Sequence, residues 1–150
     1  MSIIPLFPQS RYDPAPLIDL SRRSERERLS GSALRAFFNI AERWQLRDDD
    51  ARQLLAMSNG PFYQLKKNPD GKVLDADRLT RLSCLIGIFK ALNILHGETL
   101  ADEWVRLPNR NRIFGGERPL DTMIRGGLPA MLTVRPAAVS YTHLTLPTKA

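Results

Sequence analysis

The strongest constraint on this chain is a single helical stripe at residues 75–96. Leu79, Leu82, Leu85, Ile86, Phe89 and Leu92 recur at three- and four-residue intervals, the spacing of one helix face. Ile88, Ile94 and Leu95 widen the stripe, which predicts a long helix buried on more than one side. Asp75 is placed to cap its start and Gly97 to follow its end. Cys84, on this helix, reads as a small core residue.

The rest of the chain agrees with it. Leu34, Phe37, Phe38, Ala41 and Trp44 make one face of a helix over 32–46, with Ser32 as its N-cap. Asp48-Asp49-Asp50 opens a helix over 48–57, where carboxylates complement the positive end of the helix dipole. Capping explains these three acids better than a metal loop, which needs oxygen ligands converging around a glycine turn. Leu54, Leu55 and Met57 supply its buried side.

After a break at Met57-Ser58-Asn59-Gly60-Pro61, a short helix runs to Lys67 and stops at Asn68-Pro69-Asp70-Gly71. Thr99 caps a helix to about Arg106, and an irregular stretch follows to Gly116. Pro119 restarts a helix that Gly126-Gly127 ends, and Leu128-Pro129 opens the last one. No strand period, internal repeat or Asn-Gly hairpin interrupts the pattern. The expected class is all-α, a helix-turn-helix bundle followed by a small helical domain.

Both ends differ in style. Residues 1–30 carry Pro5, Pro8, Pro14 and Pro16 and a mixed charge run from Arg22 to Arg28. They read as a flexible proline-rich arm that turns helical near Ser24. Residues 137–150 are Thr-rich and lack a helical stripe, which reads as a non-native or disordered tail. Between them lie a helix-turn-helix domain over 31–96 and a second helical domain over 97–136.

Composition excludes several classes. No apolar run approaches the roughly 18 residues of a membrane span. The N-terminus lacks the basic flank of a signal peptide. One cysteine excludes an intrachain disulfide and a cysteine-based zinc site, and points to the reducing cytoplasm. The +6 net charge permits a nucleic-acid partner without demanding one, because the excess is spread thinly along the chain. Catalysis finds little support: His96 and His143 are the only histidines, and His96 at a helix C-terminus is explained by the dipole. No enzyme and no cofactor are expected.

Two constellations remain. Helices 48–57 and 60–67, joined by a tight turn, follow the helix-turn-helix plan. Ser58, Asn59 and Gly60 suit the approach of a phosphate to free N–H groups. Tyr63, Gln64 and Lys67 are exposed candidates; Gln64 suits adenine, and Lys66 and Lys67 suit phosphate. A plain helical hairpin with a solvated lysine pair fits the same spacing equally well. The second constellation is segment 104–127, where Trp104, Ile113, Phe114, Leu120, Met123 and Ile124 surround a loop with Pro108, Gly115 and Gly116. No strand precedes those glycines and no Gly-Lys-Ser/Thr follows, so a P-loop is excluded.

Over about residues 30–135 the chain resembles the Xre/MbcA/ParS antitoxins, partners of RES-domain toxins. The resemblance rests on Ser58 through Lys67 with Leu79 through Leu92, and on a more diagnostic C-terminal pattern. That pattern is Ala101 through Asn109, then Phe114-Gly115-Gly116-Glu117-Arg118-Pro119-Leu120-Asp121, then Gly126-Gly127.

It implies an antitoxin that binds an NAD-consuming toxin and represses its own operon. By resemblance, Ser58, Asn59, Tyr63, Gln64, Lys66 and Lys67 face operator DNA. Trp104, Arg110, Asn111, Arg112, Phe114, Pro119, Leu120 and Arg125 lie in the toxin-facing region with the last helix. Trp104, Pro119 and Leu120 suit a core role within it, and the arginines suit contact.

The chain departs from the family at Pro136, where further apolar residues are expected in the last helix. The partners implied are the toxin, operator DNA and, because one recognition helix gives a small contact area, a second copy. The alternatives are a stand-alone regulator whose C-terminal domain dimerises and an interaction module whose helix-turn-helix is vestigial.

Overall fold

Six helices carry most of the described residues, 3–5 and 17–140 of this computed structural model, and the class is all-α. In chain order the elements are β1 (Ile3–Pro5), β2 (Leu17–Asp19), α1 (Arg23–Arg43), α2 (Asp48–Leu54), α3 (Asn59–Lys67), α4 (Ala76–Leu95), α5 (Glu98–Trp104) and α6 (Pro119–Ser140). The two strands pair antiparallel, with Ile4 opposite Ile18, so the N-terminal region holds a short ribbon where an unstructured arm is expected.

The helix after the ribbon begins at Arg23, beside Ser24 where the charge run is expected to turn helical, and continues unbroken through the predicted cap at Ser32. Ser32 lies inside α1 and its hydroxyl donates to the Leu29 carbonyl at 3.3 Å. The extra turns form because they have local support. Arg28 pairs with Glu25 at 2.7 Å and Arg23 with Glu27 at 2.9 Å, at helical spacings. They are also tied to the rest of the fold. The buried Ser30 hydroxyl accepts the Leu74 N–H at 2.9 Å and donates to the Arg26 carbonyl.

At the centre, α4 packs against α1, α5 and α6. The Asp75 carboxylate accepts the Arg78 N–H at 2.8 Å, as its cap position predicts. Leu79, Leu82, Cys84, Leu85, Ile88 and Leu92 are buried. Ile94 departs from the stripe and is 82% exposed. Gly87 has a packing role: a Cβ there would come within 2.9 Å of the Arg135 guanidinium from α6.

Two boundaries in the C-terminal half also differ from expectation. The N-cap of α5 is Gly97, at φ 56°, and Thr99 lies within the helix. Segments 119–126 and 128–140 of α6 meet at Gly127, whose φ 66° and ψ −150° suit glycine alone. The helix passes Pro136 and runs to Ser140, with Ala137 and Ala138 buried. The core therefore crosses the predicted boundary at residue 136. Pro136 itself is exposed. Of the predicted tail, residues 141–150 lie outside the described residues.

Candidate nucleic-acid and partner surfaces

Helices α2 and α3 are joined by four residues, and their shared core is built from Ala51, Leu54, Leu55, Met57, Phe62 and Leu65. The turn depends on Ala56, which takes the left-handed conformation (φ 53°) often filled by glycine in helix-turn-helix units. Arg52 braces it by donating to the Met57 carbonyl at 2.8 Å. Phe62 then anchors α3 beneath α1 by edge-to-face contact with Phe38, centroids 5.8 Å apart.

With Phe62 and Leu65 inward, Asn59, Gly60, Tyr63, Gln64 and Lys67 face outward and are exposed. Residues 51–69 contain no acid. Ser58 occupies the N-cap position of α3, but its side chain makes no capping bond. The first-turn N–H groups of α3 are thus free of a side-chain acceptor from their own cap. Lys66 is the one predicted contact residue that turns elsewhere. Its ammonium meets Asp48 at 2.6 Å, in a groove also lined by Phe38 and Phe62.

The three aspartates of α2 do not converge. Asp48 meets Lys66, Asp49 meets Arg52 at 2.7 Å, and Asp50 meets Arg47 at 3.2 Å. The hydrogen bond from Arg52 holds the Asp49 carboxyl below its usual range, despite the opposing effect of burial. Among the described residues no group of three His, Cys, Asp or Glu side chains is arranged to hold a metal.

The second surface is the closed loop between α5 and α6. Its ends are tied by the Leu120 N–H donating to the Val105 carbonyl at 2.9 Å. The Asn109 N–H donates to the Glu117 carbonyl and the Gly116 N–H to the Asn109 carbonyl. Buried Asn109 also accepts the Asn111 N–H on its side-chain oxygen at 2.8 Å. Gly115 and Gly116 take φ 55° and 86°, which lets the chain turn back.

Trp104 and Phe114 meet edge-to-face, centroids 5.8 Å apart, and fill the loop's interior. Trp104, Phe114, Pro119 and Leu120 are therefore core residues; they shape this surface without being part of it. Asn111 is part-buried and organises the turn, accepting the Ile113 N–H on its own side chain. Arg110 and Arg112 are exposed and form no ion pair among the described residues, whereas Arg125 is bound to Glu117 at 2.6 Å. Arg118 grips Asp121 through two hydrogen bonds, at 2.7 and 2.8 Å, which hold the Asp121 carboxyl below its usual range.

Two arginine contacts tie neighbouring elements together around α4. Arg43 of α1 meets Asp102 of α5 at 2.9 Å while lying over the Phe89 ring at 5.2 Å. Arg81 of α4 meets Asp77 at 2.9 Å and donates to the Leu54 carbonyl, beside the Gly127 kink. His96 closes α4, and burial lowers its pKa. Arg81 and Asp77 stand at helical spacing, but the contacts of Arg43 with Asp102 and of Arg81 with Leu54 have no spacing signal in the sequence.

The two surfaces belong to an all-α protein in which two short helices joined by a tight turn precede a folded C-terminal loop module. No helix of the described residues is long and apolar enough to cross a membrane. The chain is 43% identical to "Uncharacterized protein y4oB" of Sinorhizobium fredii (strain NBRC 101917 / NGR234) over 104 residues, 68% of this chain and 78% of the relative. It belongs to the same family as that protein. No protein-family model matches the chain, and no solved structure does.

Proposed function

We propose that this chain is the antitoxin of a type II toxin–antitoxin system. In this reading it binds a RES-type, NAD-consuming toxin through the loop between α5 and α6, and represses its own operon through α3. The observation that carries it is the outward face of α3, where Asn59, Tyr63, Gln64 and Lys67 stand exposed on a helix-turn-helix core with no acid among residues 51–69. The toxin half rests on the resemblance of residues 101–127, supported by the unpaired Arg110 and Arg112 on an ordered loop. The chain acts in the cytoplasm as a homodimer, with no cofactor and no catalytic step of its own.

The test is growth rescue. The reading frame adjacent to this gene is induced with and without the full chain. Toxicity relieved by the chain, with a co-purifying complex and retarded promoter DNA, is the expected result. A harmless neighbour with no complex, but with promoter binding intact, moves the assignment to a stand-alone regulator whose C-terminal module dimerises. Loss of promoter binding with rescue intact makes the helix-turn-helix a structural support for a protein-binding module.

A further inference from the structure

We infer that the phosphate-contacting cations of this chain are Lys67 and Lys72, on either side of a cleft beside α3, and that Lys66 is not one of them. The inference rests on the proposed DNA-facing role of α3.

Lys72 follows α3 in the connection to α4. That connection is anchored to α1 on both sides of it. Two residues before, Asp70 meets Arg35 at 2.6 Å. Two residues after, the Leu74 N–H donates to the buried Ser30 hydroxyl. Gly31 makes the first anchor possible, since a Cβ there would collide with the Asp70 carboxylate. Between the anchors the chain turns tightly, the Gly71 N–H donating to the Asn68 carbonyl at 3.0 Å. Lys72 is thereby presented on a held loop.

Its position runs along α3. One cleft brings Lys72 together with Pro61, Gln64, Lys67 and Asn68. The adjoining cleft brings it together with Ser58, Pro61 and Arg78. The charges around it leave Lys67 and Lys72 available. Both are exposed and neither forms an ion pair among the described residues. The nearby acids are already matched, Asp70 by Arg35 and Asp75 by Arg78 at 2.8 Å. Lys66 stands one residue from Lys67, so helix geometry turns it about 100° away. That rotation places it in the groove with Asp48, facing α1 and α2. A backbone phosphate approaching the exposed face of α3 meets Lys67 and Lys72, with Gln64 in the same cleft as a hydrogen-bonding group.

The experiment measures binding of the full chain to a mixed-sequence DNA duplex of about thirty base pairs across a salt series. Each phosphate contact removed lowers the slope of log K against log salt by about 1. Lys67→Gln and Lys72→Gln are each expected to do so with an unchanged helical spectrum and melting curve. Lys72→Arg is expected to keep the slope, and Lys66→Gln to leave it unaltered. An unaltered slope in Lys72→Gln overturns the inference, as does a fall in Lys66→Gln equal to that in Lys67→Gln. If the unsubstituted chain binds neither this duplex nor its promoter, the DNA-facing reading fails and the inference fails with it.

Discussion

The face of α3 and the loop between α5 and α6 both offer exposed, unpaired cations, but they are held in place by opposite means. On α3 the side chains are set by helix periodicity: Phe62 and Leu65 turn inward, so Tyr63, Gln64 and Lys67 turn outward. Arg110 and Arg112 have no periodic element beneath them. They stand on a loop whose shape comes from Trp104, Phe114 and Asn109 in the core and two left-handed glycines. A helical surface tolerates change at many positions. A loop surface of this kind fails when one interior residue is lost.

The largest expected contrast lies at the loop's interior. Trp104→Ala should cost about 3–5 kcal/mol in urea unfolding, because it empties a fully buried site. Amide exchange should rise first in residues 105–120 while α2 and α3 keep their protection. Equal loss of protection in both regions would break the comparison and make the chain one cooperative unit.

Ser30→Ala comes next. It leaves the buried Leu74 N–H without its acceptor, and a cost of about 1–3 kcal/mol is expected by the same method. A neutral result would mean that the connection after α3 is not held by this bond.

A pair of glycine substitutions sharpens the contrast by its size. Gly116 has open space around a hypothetical Cβ but φ 86°, so Gly116→Ala should destabilise by roughly 1–2 kcal/mol through backbone strain alone. Gly60 has no positive φ, and alanine there gains helix propensity but sets its Cβ against the ring of the following Pro61. The two effects oppose each other, so Gly60→Ala should change stability less than Gly116→Ala. Thermal melts of both variants test this, and an equal or larger loss at Gly60 would refute the distinction.

The smallest effect is on pH. Burial lowers the folded-state pKa of His96 below its ordinary 6.5, so the unfolded chain binds the proton more readily. His96 should contribute its full share of stability above that value and lose it as pH falls below 6.5. Comparing the melting temperature of wild type and His96→Gln between pH 7 and 5 measures this share. A steeper acid loss in the variant would reverse the assignment.

Legibility followed the range of the forces involved. The stripe of α4, the Asp75 cap, the α2–α3 pair and the outward set Tyr63, Gln64 and Lys67 were all readable, because each depends on neighbours within a few residues. The helical turn near Ser24 was readable from its local charge pairs, but the cap at Ser32 was misplaced, because the helix runs unbroken through it, held at Ser30 by Leu74, forty-four residues away. The end of α6 was misplaced because Pro136 breaks a hydrogen bond locally, whereas Ala137 and Ala138 gain a buried face beyond it. Lys66 looked equivalent to Lys67 in a line of letters. Its pairing with Asp48, eighteen residues earlier, separates the two.

Periodicity, capping and turn chemistry act within a helical turn or two. By themselves they determined that this protein is a bundle of helices with two short helices and a tight turn near its middle. Which cations remain free, which aromatic residues are core, and that the connection after α3 presents Lys72 beside Gln64 were decided only in the tertiary structure. Coulomb pairing and burial join residues by distance in space, and sequence separation carries no record of it.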